Sequence, residues 1–301
     1  MTRGPHPDAT VALRGPLERL YWTFNHETSA ADPVHIARRY QADEDREVVG
    51  FCAAGLAFGR VASVLHSIEA LLAAMGPHPA AFVREFDPAR QGGRLAPLVH
   101  RWIRGADLIA LVLVLQRMLR HAGSLERFFL AGDDPSAPDL GPALDSFSTR
   151  ALAFDLRPAY GRVPARPGVC YFFPRPSAGS ACKRLNLFLR WMVRKDAIDL
   201  GVWKATSPAR LIVPLDTHVI RLGQCLRLTR YISPGWRMAA EITASLRAID
   251  PADPVRFDFS LCHLGMMNAC GFHRAQGDSR CPLKGACRPR VRRKARGGRR
   301  P

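Results

Sequence analysis

The chain has 301 residues, of which 47% are hydrophobic, so it is long enough to bury the core of one large or two closely packed domains. Its formal net charge of +18 is extreme for a globular protein and indicates a polyanionic partner, either nucleic acid or an acidic membrane surface. The longest apolar run, residues 108–115, is far shorter than the roughly 20 residues that cross a bilayer, and the N-terminal residues lack the apolar core of a signal peptide. We therefore expect a cytoplasmic protein that binds nucleic acid and no membrane.

Helical periodicity dominates the first half of the chain. Residues 1–10 form a polar lead that we expect to be disordered, and apolar residues at helical spacing then predict an amphipathic helix over residues 13–28. The same pattern predicts further helices over residues 33–40, 43–58, 63–75, 107–122 and 140–154.

No stretch alternates apolar and polar residues for long enough to build a sheet. Residues 169–173 are the one short run that is rich in strand-forming residues, and we predict that they form an extended entry to the helix that follows. The predicted fold class is therefore all-α.

A lysine and an aspartate at two predicted helix starts carry the most chemical information. Lys183 lies in the first turn of an apolar helix, where unpaired N–H groups and the positive end of the helix dipole favour an uncharged, nucleophilic amine. Such an amine can form a Schiff base. Asp216 follows an extended segment and precedes another apolar helix, so it is predicted to be an N-cap residue at a shared cleft. Taken singly, each residue is more often structural.

The helix that contains Lys183 is predicted over residues 180–194. Its apolar residues fall on one side, and Asn186, Arg190 and Arg194 are predicted to form an exposed basic side with the lysine. In a basic protein, such a side is a candidate surface for phosphate contacts.

Half of the eight cysteines lie near the C-terminus, at Cys262, Cys270, Cys281 and Cys287. In a reducing compartment they are not expected to form disulfides. Four thiols within 26 residues, in loops rich in Gly, Arg and Asp, are typical of a segment held by metal. The residues leave three alternatives open, which are an iron–sulfur cluster, zinc with help from His263 or His273, and no metal.

Residues 288–301 form a tail with eight basic residues, and the rest of the chain still has a net charge of +10. We predict that the tail is disordered and adds salt-sensitive affinity for phosphates that does not depend on nucleotide sequence. A solubilising tail without a partner is the alternative.

The segment Pro-Leu-Asp-Thr-His-Val-Ile-Arg-Leu, residues 214–222, resembles the catalytic-aspartate segment of the helix-hairpin-helix DNA glycosylases related to endonuclease III. Lys183 then lies where the Schiff-base lysine of those enzymes would be sought. The hairpin of that family usually reads Leu-Pro-Gly-Val-Gly-x-Lys, whereas residues 176–183 contain one glycine and a displaced lysine. The lysine-to-aspartate separation is similar to that of the archaeal 8-oxoguanine glycosylases. The similarity is greatest to a widespread bacterial family of this superfamily that has no established substrate, and it covers roughly residues 33–288.

The resemblance implies a two-lobed fold with the cleft between the lobes, one formed by residues 44–204 and the other by residues 11–43 and 205–287. It also implies base excision from damaged double-stranded DNA by a nucleoid-associated monomer, with Lys183 attacking C1′ of the sugar. Asp216 would accept a proton or stabilise the positive charge that develops as the base leaves. Expected DNA contacts near the hairpin and the cleft are Gly179, Ser180, Arg60, Arg190 and His218.

In the endonuclease III family the C-terminal loop holds a [4Fe-4S] cluster with the spacing Cys-x6-Cys-x2-Cys-x5-Cys. Here the spacing is Cys-x7-Cys-x10-Cys-x5-Cys. Cys281 and Cys287 match the last two family ligands and Cys270 fits the first, so the remaining ligand would have to be Cys262.

Two other functions fit the same residues. One is a DNA-binding protein that keeps the glycosylase scaffold without base chemistry, and the other is a zinc-dependent nucleic-acid-binding module. Convergence of the Lys183 amine and the Asp216 carboxylate on one pocket would favour the enzyme.

Overall fold

The computed structural model describes residues 10–29, 32–267 and 281–286. Fourteen α-helices lie wholly within these described residues, together with three 3-10 helices and no strand, which confirms the predicted all-α fold class. None of the described helices combines the length and the apolar character that a transmembrane span requires.

The first ten helices precede the lysine segment. They are α1 (Arg14–Phe24), α2 (Val34–Arg38), α3 (Asp43–Leu56), α4 (Val61–Met75), α5 (Pro79–Arg84), α6 (Pro88–Leu95), α7 (Gly105–Ala122), α8 (Leu125–Leu130), α9 (Gly141–Leu152) and α10 (Arg157–Tyr160).

Three short 3-10 helices and four α-helices make up the second half. The 3-10 helices are Gly168–Phe172, Pro176–Ala178 and Pro208–Arg210. The α-helices are α11 (Lys183–Val193), α12 (Thr217–Cys225), α13 (Trp236–Arg247) and α14 (Asp258–Met266). Helix α11 packs against α3, and α14 packs against both α12 and α1.

The contact between α3 and α11 is close because α3 carries small residues on the side that faces α11. A Cβ atom added at Gly50 would lie 2.7 Å from the terminal methyl group of Met192, so a larger residue here would require the end of that side chain to move. Phe188 of α11 lies edge-on to Phe51 of α3, with 5.2 Å between the ring centroids. Helix α11 is therefore fixed against the core along its whole length.

Two predicted boundaries near α11 are wrong. Residues 169–173 are not extended, because Val169 and Phe172 are both buried and a 3-10 helix places side chains three positions apart on one face. The helix predicted from residue 180 begins at Lys183, because Gly179 and Cys182 both adopt left-handed φ angles of +80° and +48°. The chain thus turns twice before the lysine.

The predicted basic side of α11 is buried, so its predicted exposure was wrong. Arg190 and Arg194 are only 2% and 3% exposed, and Asn186 is 1% exposed. Asn186 donates a hydrogen bond to the Ala181 carbonyl oxygen at 3.0 Å. This side of the helix faces protein, and Asn186, Arg190 and Arg194 all have partners within the fold, although the Nη2 atom of Arg190 is buried without one.

Carboxylates take the place of solvent around the two arginines. Arg190 pairs with Asp199 at 3.2 Å and with Asp258 at 2.6 Å. Arg194 pairs with Asp196 at 2.8 Å, with Asp253 at 2.9 Å and also with Asp199. We call these six side chains the arginine–aspartate network.

Helix α1 is joined to residues far along the chain. The Tyr21 hydroxyl donates to Asp196 at 3.2 Å, and Arg256 pairs with Glu18 at 3.0 Å. These contacts place the N-terminal helix beside α14. The division into the two predicted lobes, residues 44–204 and residues 11–43 with 205–287, stays a prediction.

Candidate active site

A cleft of about 500 Å³ lies where the starts of α11 and α12 meet α14 and the connection between α3 and α4. Its walls include the aromatic side chains of Phe58, Tyr171 and Phe259. Lys183 and Asp216 both line it. The structure therefore brings the two residues singled out in the sequence to one cavity.

Lys183 is the first residue of α11, as predicted for a lysine in the first turn of that helix. Its Nζ atom donates a hydrogen bond to the carbonyl oxygen of Ala57 at 3.0 Å. Ala57 is the C-cap residue of α3, where the carbonyl groups lack helical partners and the dipole attracts cations. The amine thus lies between the positive end of one helix and the negative end of another, and sequence alone indicated only the first.

Arg184 contacts the same part of the cleft and was not identified from the sequence. Its guanidinium donates to the carbonyl oxygens of Gly55, at 3.0 Å, and Tyr171, and lies over the Tyr171 ring at 3.4 Å from the centroid. Burial lowers the pKa of Arg184 to about 10. Its two backbone acceptors hold it against the cleft wall.

Asp216 is the N-cap residue of α12, and this prediction is confirmed. Its Oδ1 atom accepts a hydrogen bond from the Val219 backbone N–H at 2.7 Å. Its Oδ2 atom accepts from the thiol of Cys262 at 2.9 Å. Burial, and then the Asp216 charge, raise the pKa of Cys262 well above its usual range, which keeps the thiol in the form that donates.

The predicted DNA-contact residues divide into two groups. Arg190 and His218 line the cleft, but Arg190 is buried in the arginine–aspartate network and so cannot be the exposed contact that was predicted. Arg60 is exposed just before α4, and Gly179 and Ser180 lie on the turn before α11; none of the three is among the cleft-lining residues.

The turn before α11 is bonded inside the protein. The Gly179 carbonyl oxygen accepts from the Trp236 N–H at 3.3 Å, and Ser180 Oγ accepts from the Cys182 N–H at 3.1 Å. Ser177 is tied to Asp145 by its hydroxyl at 2.7 Å. Despite its single glycine, the hairpin segment is therefore fixed to α9 and α13.

Two cleft residues were not identified from the sequence as part of a catalytic site. Asp258 carried no sequence signal and His263 was named only as a possible zinc ligand, and both belong to α14. Burial lowers the pKa of His263, whose ring stacks on Phe259 with 3.9 Å between centroids. Trp102 is 51% exposed and lies 4.8 Å from Phe58, at the outer side of the aromatic wall. Only their meeting in the fold identifies them.

The four C-terminal cysteines are only partly described. Cys270 and Cys287 lie outside the described residues, Cys281 is buried, and Cys262 lies in the cleft. Within residues 10–29, 32–267 and 281–286, no group of three or more His, Cys, Asp or Glu side chains could hold a metal ion.

A cysteine binds a metal ion as a thiolate, whereas the Cys262 thiol keeps its proton and donates a hydrogen bond to Asp216. In this arrangement Cys262 does not fit as the fourth cluster ligand. The [4Fe-4S] cluster stays a prediction that depends on Cys270, Cys281 and Cys287. The zinc alternative also depends on His263 or His273, of which His273 lies outside the described residues.

Residues 32–267 match the model of a family described as "Protein of unknown function (DUF2400)". No match is found among the curated proteins or the solved structures. The matched residues include the cleft, with Lys183, Asp216 and Asp258.

Proposed function

Because this chain belongs to the DUF2400 family, whose description gives no activity, we propose a function from the chemistry of its cleft. The proposed function is base excision from damaged double-stranded DNA by a glycosylase that also has lyase activity. The observation that carries the proposal is that Lys183 and Asp216 line one cleft.

In the proposed reaction, Lys183 is the nucleophile. Its amine, once deprotonated, attacks C1′ of the deoxyribose as the base leaves, and the covalent adduct then rearranges to a Schiff base. For this attack, the Lys183 amine has to break its hydrogen bond to the Ala57 carbonyl oxygen.

Asp216 would stabilise the positive charge that develops on the sugar. Its carboxylate is held in place by the Val219 N–H and the Cys262 thiol, one on each oxygen. A carboxylate that is oriented before the substrate binds loses little free energy to reorganisation during the reaction. The helix cap and the thiol therefore serve the chemistry as well as the fold.

The surroundings of the cleft are suited to an extruded nucleotide. A base cannot react inside the helical stack, so it has to leave the duplex and enter a pocket. The cleft volume of about 500 Å³ and the rings of Phe58, Tyr171 and Phe259 suit a flat aromatic ligand. The net charge of +18 favours binding to the DNA backbone.

Borohydride trapping tests this function. The wild-type protein is incubated with duplexes that carry an abasic site, an oxidised purine, an oxidised pyrimidine or a deaminated base, and the Schiff base is reduced to a stable adduct. We expect an adduct with at least one duplex, and we expect Lys183→Gln to abolish it while DNA binding is retained. Lys195→Gln, which changes an exposed lysine just beyond α11, is the matched control. An adduct that survives in Lys183→Gln contradicts the assignment.

A second function, DNA binding without base chemistry, is favoured by one observation. The Lys183 ammonium already has a backbone acceptor at the end of α3, which is also what a purely structural lysine would have. This function predicts salt-dependent binding to duplexes and no adduct with any member of the panel.

A further inference from the structure

Besides Lys183 and Asp216, the cleft is lined by Asp32 and Asp258. Asp258 is the first residue of α14 and is only 3% exposed. Its Oδ2 atom accepts a hydrogen bond from Arg190 at 2.6 Å, whereas its Oδ1 atom is buried without any partner. Buried polar atoms in folded proteins almost always have a partner. The Nη2 atom of Arg190 is buried without a partner as well, so this ion pair leaves one donor and one acceptor for a group bound in the cleft.

Of the three aspartates that line the cleft, Asp32, Asp216 and Asp258, the last two have opposite surroundings. Burial raises the pKa of Asp258 to about 7, the Arg190 guanidinium opposes this shift, and the negative charge of Asp216 adds to it. Near pH 7, Asp258 is therefore divided between its protonated and its ionised form. Both oxygens of Asp216, by contrast, accept hydrogen bonds from protein donors. The charged and titratable groups that face Asp258 are Arg190, Asp199 and Asp216 from other elements and Cys262 from α14 itself.

Two carboxyl groups in different surroundings can divide the work of acid and charge stabiliser. We propose that Asp258 is the acid that protonates the departing base, which rests on the proposed glycosylase function. As the bond from C1′ to the base nitrogen breaks, its electron pair stays on that nitrogen, which takes the proton from Asp258 Oδ1. Lys183, after its ammonium group has passed one proton to solvent, forms the new bond to C1′, and the positive charge of the resulting adduct nitrogen is balanced by the new Asp258 carboxylate beside Arg190.

Asp258→Asn separates proton transfer from shape, because the amide keeps the size of the side chain but cannot give up a proton. We measure single-turnover excision of uracil, hypoxanthine, 8-oxoguanine and thymine glycol from duplexes between pH 5.5 and pH 9. General acids contribute about 10²–10⁴-fold to such rates, and we expect a loss of this size with the base that the wild type excises fastest. The wild-type rate should fall as the pH rises through about 7, and the variant should lose this dependence.

Two controls exclude a structural role. Trapping on DNA that already carries an abasic site needs no leaving base, so Asp258→Asn should form that adduct at the wild-type rate. Asp253→Asn changes another aspartate of the arginine–aspartate network, one that pairs with Arg194 outside the cleft, and it should keep wild-type excision.

The outcomes are distinguishable. A variant that keeps the fall in rate above pH 7, or that loses excision and abasic-site trapping equally, overturns the role of Asp258. A wild-type protein that neither excises a base nor forms an adduct overturns the proposed function itself.

Discussion

The two ends of α11 place basic residues in opposite settings. At its start, Lys183 and Arg184 reach backbone carbonyl oxygens at the end of α3 and face a cleft. Toward its end, Arg190 and Arg194 are buried and pair with four aspartates. Helical periodicity predicted one continuous exposed basic side. The difference teaches that a row of basic residues on a helix indicates phosphate contacts only where no carboxylates of the same chain lie within reach.

Removing an aspartate from the arginine–aspartate network at the buried end of α11 should have the largest effect on stability. Asp199 pairs with both arginines, so Asp199→Ala leaves two buried charges with one strong partner fewer each. We expect the free energy of unfolding in urea to fall by about 3–5 kcal/mol. Asp43→Ala, which breaks the solvent-exposed pair with Arg46, is the control and should cost less than about 1 kcal/mol. If both variants lose the same free energy of unfolding, the buried pairs do not differ from the exposed pair as we predict.

The next prediction concerns Asp216 in the cleft. Two substitutions separate its role as N-cap residue of α12 from the role of its negative charge. Asp216→Ala removes the hydrogen-bond acceptor for the Val219 N–H and should lower the free energy of unfolding by about 1 kcal/mol. Asp216→Asn keeps an acceptor and should remain close to the wild type in stability. Both variants should lose excision by orders of magnitude, measured in single turnover. A variant that is destabilised but fully active would show that Asp216 serves the fold alone.

Salt titrations of DNA binding distinguish basic residues that contact phosphate groups from basic residues that are paired within the protein. Each neutralised phosphate adds about −0.9 to the slope of log K against log salt. Arg60 is exposed, so Arg60→Gln should reduce the magnitude of the slope by about that amount if it contacts DNA as predicted. Deletion of residues 288–301 should reduce it further and weaken binding to all sequences equally. Fluorescence anisotropy over a range of KCl concentrations measures both, and an unchanged slope after truncation would contradict the predicted role of the tail.

The smallest expected effect comes from histidines that are buried uncharged, in contrast to the buried charges of the network. His100 contacts the Phe58 carbonyl oxygen at 3.0 Å and Ser67 at 2.8 Å, and burial lowers its pKa below 6.5. The unfolded chain therefore binds the proton more readily than the folded protein does. The free energy of unfolding should decrease as the pH falls below about 6.5, and His100→Gln should flatten part of this dependence. His263, whose pKa is shifted in the same direction, accounts for another part.

Local patterns were sufficient for most of the helices and for the Asp216 cap, although helix α6 was missed at Gly92 and Gly93. An N-cap is set by residues within one turn, so the Asp216 to Val219 hydrogen bond could be predicted from its neighbours. The contact from Cys262 to Asp216 joins residues 46 positions apart, and the contact from Lys183 to Ala57 joins residues 126 apart. No periodicity encodes such pairs.

The burial of Arg190 and Arg194 could not be predicted for a related reason. Helical spacing marks which residues share a side, but only the fold determines whether solvent or another element covers that side. Here Asp199 and Asp253 come from separate segments that meet at the end of α11. The left-handed turn at Cys182 is equally hidden, because cysteine has no preference for that conformation.

The contact between α1 and α14 also constrains how the chain reaches its fold during synthesis. Glu18 pairs with Arg256, 238 positions later, so α1 has to wait for most of the protein to be translated before it can dock. At about 5–20 residues per second this delay is roughly 10–50 s, during which the apolar side of α1 is without its partner. Leu17 and Leu20, which are fully buried in the folded protein, are then exposed near the ribosome. The apolar side of α1 is therefore expected to stay unpacked until α14 has been synthesised.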